Sequence, residues 1–424
     1  MADAAQLRKV QAIVQENPDR SVVVVSAPGK RSAQDAKITD LLYQCCDRVG
    51  KGSAFDEVFE TIANRYREIV RDLGVAVEIE KELAAVREGI LSSTTPDFAA
   101  SRGEYLNARI TAALLGREFV DAAEIIRFDD DGKLLGKETD QAIAQRLRGG
   151  SPVVVPGFYG AMPNGSIKTF SRGGSDITGA LLARGIRADV YENWTDVPGV
   201  LMADPRIVAN AKSIPILTYR ELRELAYMGA SVMHEEAVFP VIDVGIPVHV
   251  RDTNAPQNAG TLIVNQVEGS TSTVTGVAGR KGYTVIALEK NLMNSEVGFG
   301  RRLLSALERR GVSFEHMPTG IDTVSLVVDS FYLKGKLEAV LDEIREECRP
   351  DRVQVFESMA LIATVGRGML HTPGVAGRLF GALASVNVNV RMIDQGSSGI
   401  NIIVGVEEKD FEGAIRAIYN AFAR

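Results

Sequence analysis

Ser171-Arg172-Gly173-Gly174-Ser175-Asp176, followed by Tyr191-Glu192-Asn193-Trp194-Thr195-Asp196-Val197-Pro198-Gly199-Val200 and then Ala203-Asp204-Pro205-Arg206, decides how the rest of this sequence is read. The first segment sets an arginine, two glycines and a carboxylate at a strand-to-helix turn. The second ends a strand in small polar groups. Glycine lets a backbone approach a ligand, and the amides of a helix N-terminus favour an anion. A guanidinium beside such bare amides needs an anionic partner, whereas Ser175 or Asp176 reads equally as a cap for a helix over Ile177 to Ala183. Together the segments read as an acidic-substrate site beside a nucleotide site.

Outward from this stretch, short β-branched runs alternate with amphipathic helices, through Ser21 to Ser26, Ile38 to Cys46, Ser151 to Pro156 and Ala188 to Asn193. Uninterrupted valines, as in Val22 to Val25 and Val153 to Val155, predict strands buried on both faces and hence a parallel or mixed sheet covered by helices. Asn164-Gly165 predicts a hairpin leading into the Arg172 turn. Thr218 and Glu221 have the spacing of a capping box, opening a helix that carries Leu222, Leu225 and Ala226. Ile246 to Val250 and Thr261 to Val264 read as closing strands, so the first domain ends near Val264.

The 424 residues, 45% hydrophobic and 24% charged, suffice for two or three domains with their own cores. A net charge of -7 leaves no basic footprint for nucleic acid. Three cysteines, two of them adjacent at Cys45 and Cys46, make neither a disulfide framework nor a metal cluster and fit a reducing cytoplasm. His234, His249, His316 and His371 are far apart and show no zinc-like spacing, so no protein-bound metal is expected. The N-terminus has the helical rhythm of Leu7, Val10, Ile13 and Val14 rather than that of a signal peptide, and the apolar runs are too short to span a bilayer. A soluble cytoplasmic protein with no membrane partner is expected.

Beyond the polar linker Gln266 to Ser272 one plan occurs twice. It runs strand Thr284 to Leu288, a loop with Met293 and Gly298, helix Arg301 to Arg310, strands Ser313 to Met317 and Thr323 to Val328, and helix Lys334 to Glu347. The second copy is strand Ser358 to Val365, a loop with Gly368 and Gly374, helix Ala376 to Ser385, strands Asn389 to Ile393 and Gly399 to Val404, and helix Lys409 to Ala421. Each is a βαββαβ-type unit without a local sixth strand. Thr273 to Val277 and Gln354 to Phe356 are spare strands for the missing edges, which predicts one unit threaded into the other.

Taken in order, Ser171 to Asp176, Thr195 to Arg206, Gly229-Ala230-Ser231-Val232-Met233-His234, Asn254 to Ile263 and Arg391 to Asn401 make the chain resemble aspartokinase, the amino-acid-kinase-fold enzyme that phosphorylates aspartate and carries two C-terminal ACT domains. The resemblance implies an α/β fold, with an amino-acid-kinase-type, mostly parallel sheet sandwiched by helices, followed by two interlocked ACT domains. The implied catalytic domain covers 1-265 and the paired ACT domains 273-424, with the first unit, about 281-348, threaded into the second, about 273-280 plus 349-424.

Carried onto this sequence, the resemblance implies an aspartate pocket of Ser26, Thr39, Glu104 and Arg172, with Arg172 clamping the substrate α-carboxylate and Glu104 accepting from its α-ammonium. From the residues alone, Ser101 and Glu104 read equally as a capping box for a helix over Tyr105 to Leu115. Asp176 joins Arg172 as a catalytic-site group, while Thr195, Asp196, Arg206 and Ser231 take nucleotide-contacting positions. The implied reaction is attack of the aspartate β-carboxylate on magnesium ATP, the first step towards lysine, threonine and methionine. An amino-acid effector, lysine or threonine, is implied at the loop of Met293 and Gly298 with Asp322, and the ACT units imply a homodimer or larger assembly.

The family's opening strand ends in Lys-Phe-Gly-Gly, and Met1 to Leu7 match the helix after that motif, so an N-terminally truncated catalytic domain of lowered activity is expected. Lys30 and Lys168 are the nearest substitute cations, and Lys30 reads as an exposed loop lysine. The alternative function is a non-catalytic amino-acid sensor that keeps the ACT pair.

Overall fold

The computed structural model describes residues 1–92, 95–171, 173–230, 238–267 and 272–423. Along the chain run α1 (Ala4–Glu16), β1 (Val22–Val25), α2 (Ile38–Gly50), α3 (Asp56–Leu73), α4 (Ile79–Ser92), α5 (Pro96–Leu115), β2 (Glu118–Phe119), α6 (Ala122–Ile125), α7 (Gly136–Arg146), β3 (Val153–Pro156), β4 (Tyr159–Ala161), β5 (Ile167–Thr169), α8 (Gly174–Ile186) and β6 (Tyr191–Thr195). There follow β7 (Ile216–Thr218), α9 (Tyr219–Tyr227), α10 (Phe239–Ile242), β8 (Val248–Asp252), β9 (Thr261–Val264), β10 (Gly276–Glu289), α11 (Phe299–Arg309), β11 (Thr323–Asp329), α12 (Ser330–Leu333), α13 (Leu337–Cys348), β12 (Arg352–Val365), α14 (Val375–Ser385), β13 (Met392–Asp394), β14 (Asn401–Glu407) and α15 (Phe411–Phe422). They fall into two units, Met1–Gly199 with Val232–Asn265, and Val200–Ser231 with Gln266–Arg424.

In the first unit β1 pairs in parallel with β3, Val22 opposite Val153, and β3 pairs in parallel with β2. Every residue of β3 is buried, as its continuous valine run predicts, whereas in β1 only Val25 is buried and Val22 to Val24 are half-buried, so the expectation of burial on both faces holds for β3 and not for β1. The Asn164-Gly165 turn joins β4 to β5 with Tyr159 opposite Thr169. In a second sheet β6 lies parallel to β8, which pairs antiparallel with β9. The strand expected from Ala188 starts at Tyr191 instead. Arg187, in the left-handed region, and Ala188, bonded back to the Ala183 carbonyl, still belong to the end of α8.

Between β1 and β2 the chain inserts the helical layer α2 to α5, whose core holds Leu42, Ile62, Tyr66, Ile90, Leu106 and Ile110. Emptying one such site, as Ile110→Ala does, costs about 2–5 kcal/mol. Helix α5 is buried along most of its length. It starts after Thr95, with Pro96 in the first turn, so Ser101 and Glu104 lie in mid-helix and the capping box read there does not form. Ser101 Oγ donates instead to the Phe98 carbonyl at 2.7 Å. Gly103 is where α5 meets the chain leaving β1, and a Cβ there would stand 2.8 Å from Ala27 Cβ.

In the second unit β10 and β12, 14 residues each, form the spine of an antiparallel sheet ordered β11-β10-β12-β14-β13. The spare strands Thr273 to Val277 and Gln354 to Phe356 are therefore the other halves of continuous strands, β10 beginning at Gly276. Register shifts between Lys281 and Val285 interrupt the ladder, with Gly282 at φ 92° and Ser358 at φ 56°. Helices α11 and α13 cover one half through Leu303, Leu307, Val340 and Ile344, and α14 and α15 cover the other through Leu379, Leu383, Ile415 and Ile418. The strand expected over Ser313 to Met317 does not form, and the segment contributes one isolated bridge, His316 to Val327. The capping box of Thr218 and Glu221 forms and opens α9.

Candidate active site

A cleft of about 400 Å³ in the first unit opens where the end of β1, the starts of α2 and α8 and the middle of α5 converge. Ser26, Thr39, Glu104 and Asp176, predicted from separate parts of the sequence, all line it. So do Lys37, Asp40, Phe158 and Ser175, which sequence reasoning did not assign. A larger hollow of about 540 Å³ in the second unit, beside Leu304, Leu307 and Phe314, offers Glu308 as its single ionisable side chain. It lacks the convergent polar groups of a chemical site.

Ser26 follows the buried end of β1, and its carbonyl accepts 2.7 Å from Asn107 Nδ2 of α5. Glu104, on the same helix, is buried, and its Oε2 has no hydrogen-bond partner among the described residues. Burial pushes its carboxyl up to about 8, against opposing hydrogen bonds from the backbone N–H groups of Ala27 and Glu104 and the charge of Arg102. An orphaned, reluctantly ionised carboxyl lining a cleft is poised for a cationic ligand. Arg102 is buried with its guanidinium 4.6 Å from the rings of both Phe98 and Tyr105 and 5.1 Å from that of Tyr159.

Helix α8 opens on Gly173, whose φ of 59° turns the chain from β5 into the helix. Ser175 and Asp176 therefore sit inside the first turn rather than capping it. The first-turn amides and helix dipole favour negative charge in the cleft. Asp176 Oδ1 accepts 2.9 Å from Asn193 Nδ2 of β6. Phe158 adopts φ 83°, uncommon for a bulky residue, and its N–H donates 3.0 Å to Thr178 Oγ1 of α8. No local sequence signal marks that conformation. Lys37 was legible only as the residue before the Ile38-Thr39-Asp40 helix start.

Thr195 ends β6, with its Oγ1 3.3 Å from Asp196 Oδ1 and its carbonyl accepting from Thr253 at 2.8 Å. The opposite row of the strand is bolted down. Glu192 accepts from Trp194 Nε1 at 3.0 Å and from Arg20 Nε at 2.7 Å, and Arg20 and Arg251 lie 5.2 and 4.6 Å from the Trp194 ring. Asp196 is exposed.

Lys30 is exposed, and Lys168 pairs with Asp97 at 3.1 Å. Arg172 and Ser231 lie outside the described residues. Arg206 belongs to the second unit, where it is exposed and pairs with Asp204 at 2.6 Å. In the same unit Asp322 organises the predicted effector loop, its carbonyl accepting from Lys290 N–H at 2.8 Å and Oδ1 from Leu292 N–H at 2.9 Å. Met293 is buried in the core, and Gly298 opens α11 at φ 81°.

Residues 1–252 match the amino acid kinase family and residues 362–422 the ACT domain. Aspartokinase 3 of Bacillus subtilis is 39% identical, over all of this chain and 96% of its own length. The chain belongs to the aspartokinases. As a member of that family it is an ATP-dependent aspartate kinase with ACT regulatory domains. The crystal structure of Clostridium acetobutylicum aspartate kinase superposes with a TM-score of 0.91 at 52% identity, covering 100% of this chain and 97% of that one. Escherichia coli aspartokinase III, 28% identical with the same coverage, superposes at 0.74 in its complex with aspartate and ADP and at 0.73 in that with lysine and aspartate.

Proposed function

We propose that the cleft seats L-aspartate and that the end of β6 seats magnesium ATP, the two meeting so that a β-carboxylate oxygen attacks the γ-phosphorus. An O–P bond forms to give 4-phospho-L-aspartate, the bond to the bridging oxygen breaks, and ADP leaves with the electron pair. Glu104 accepts from the substrate ammonium group and Arg172 holds the α-carboxylate. Ser26 and Thr39 supply hydroxyls, and Asp176 orients the substrate from the first turn of α8. Thr195 and Asp196 contact the nucleotide. The cationic Lys37 and the α8 amides favour the acidic acceptor. The observation that carries this reading is the meeting of Ser26, Thr39, Glu104 and Asp176 in one cleft.

Residues 1-265 act as the catalytic domain and 273-424 as paired ACT repeats, the first, about 281-348, set within the second. The continuous spine strands β10 and β12, each shared by both halves of the sheet, support that division. Lysine or threonine acts as effector at the loop of Met293, Gly298 and Asp322, in a cytoplasmic homodimer or larger assembly. No helix among the described residues is long and apolar enough to cross a membrane.

The test is incubation of the protein with aspartate, ATP and magnesium, trapping the acyl phosphate with hydroxylamine. Aspartyl hydroxamate is expected from the wild type and loss of about a hundredfold or more in kcat/KM for aspartate from Glu104→Ala. Equal turnover of glutamate and aspartate, or full activity in Glu104→Ala, overturns the assignment of the cleft.

A further inference from the structure

Successive side chains of β6 point to opposite sides. Glu192 and Trp194 face the clamp formed with Arg20 and Arg251. Tyr191 and Asn193 face α8, and both reach Asp176. Asn193 Nδ2 donates 2.9 Å to Asp176 Oδ1 and 3.1 Å to Tyr191 Oη, and Tyr191 Oη donates 3.2 Å to the Asp176 carbonyl. Thr195 continues the same row to the end of the strand. One row of one strand thus grips a cleft carboxylate with its first two members and ends at the expected nucleotide contact with its third.

We propose that Asn193 is a positioning residue for the acceptor, fixing the carboxylate of Asp176 in the orientation that receives the substrate. This rests on the reading of the cleft as the aspartate site.

The physical argument has three parts. A carboxylate in the first turn of a helix rotates about two side-chain torsions, and an amide donor on one oxygen removes that freedom before the ligand arrives, so the ordering cost is not charged against binding. An amide N–H is a donor and nothing else at that atom, so the 2.9 Å bond commits Asp176 Oδ1 to β6. The donor itself is held still, because Asn193 Nδ2 also donates to Tyr191 Oη at 3.1 Å and Tyr191 Oη is in turn bonded to the Asp176 carbonyl at 3.2 Å. A Cβ at Gly179 would stand 2.6 Å from Tyr191 Oη, so the side chain at that position decides how closely the ring approaches α8. Among the described residues, Asp176 shares the cleft with Lys37, Asp40 and Glu104 and meets Tyr191 and Asn193 from β6. A change at Asn193 therefore acts on a carboxylate already set among two others.

The experiment compares the wild type with Asn193→Val, which keeps strand propensity and removes the donor, and Asn193→Asp, which keeps the shape and replaces the donor with a like charge. Asn193→Val is expected to raise KM for aspartate about ten- to a hundredfold while KM for ATP stays within about twofold, the range for a lost hydrogen bond to a charged group. Asn193→Asp is expected to move the acid limb of kcat/KM for aspartate upward by about one pH unit. Asn193→Gln is expected to recover part of the loss. On an Asp176→Asn background, Asn193→Val should add less than about twofold.

The proposal falls if Asn193→Val leaves KM for aspartate within twofold, if both KM values rise together, or if its effect persists in full without the Asp176 carboxylate. Should either variant unfold, the other, together with Asn193→Gln, carries the same measurements. A wild type that makes no aspartyl hydroxamate overturns the cleft assignment and this inference together. A fully active wild type matched by Asn193→Val overturns this inference alone.

Discussion

Glu104 should couple protons to both folding and substrate binding, in opposite directions. Its carboxyl is buried and raised from 4.5 to about 8. Between those values the folded protein retains a proton that the unfolded chain has released, so stability must fall as pH rises from about 4.5 and level off above about 8. Each pH unit in that interval costs about 1.4 kcal/mol, which sums to at most about 5 kcal/mol. Glu104→Gln removes the titration while keeping the shape. Urea denaturation across pH 5 to 9 should show a wild-type stability that declines relative to the variant, with the variant ahead by about 3 kcal/mol or more at pH 9. Binding should run the other way. An ammonium group beside Oε2 stabilises the ionised form, so aspartate binding near pH 7 should expel about 0.9 proton, and the variant should bind aspartate weakly. Titration calorimetry in buffers of different ionisation enthalpy measures that proton directly. A binding enthalpy independent of buffer, with parallel stability curves for wild type and variant, would refute the reasoning.

Glu221 is a buried carboxylate in the second unit that accepts from Thr275 Oγ1 at 2.6 Å, from Thr218 N–H at 2.8 Å and from Arg367 Nη1 at 2.9 Å. Glu221→Ala should cost about 3–5 kcal/mol, read by urea denaturation, because it leaves Arg367 without its counter-charge. Burial pushes the Glu221 carboxyl up, but the bonds from Thr275, Thr218 and Arg367 outweigh it and hold the group below 4.5. Its contribution is therefore present above about 4.5 and lost as pH falls below that, a loss that Glu221→Gln should abolish. Gly103→Ala drives a methyl group towards Ala27 and should raise KM for aspartate more than KM for ATP, at a stability cost of about 1–3 kcal/mol. Millimolar lysine or threonine should raise the melting temperature through binding to the folded ACT repeats, and unchanged melting curves with both would count against an effector at the Met293 loop.

Local chemistry was legible from residue order. The Asn164-Gly165 hairpin and the capping box of Thr218 and Glu221 each rest on contacts within a few residues, and each forms as read. Where local readings failed, a longer-range element had absorbed the signal. Ser101 and Glu104 have capping-box spacing, yet α5 begins at Pro96 and carries both into its interior. Glu221 serves its cap as predicted and also accepts from Thr275 and Arg367, 54 and 146 residues away.

The sequence by itself determined the valine strands, of which β3 is buried throughout and β1 only at Val25, the doubled α/β plan of the C-terminal half and, through resemblance, the family and four residues of the cleft. These follow from periodicity, turn chemistry and motif order, which a linear chain carries explicitly. Only the tertiary structure brought Lys37 and Phe158 into the cleft, set Asn193 against Asp176 and left Glu104 Oε2 buried without a partner among the described residues. Those facts depend on where separate segments cross and on how much water the crossing excludes. The Glu104 carboxyl is buried where α5 meets the segment through Ala27, whose backbone N–H it accepts from, and no spacing along the chain encodes that meeting.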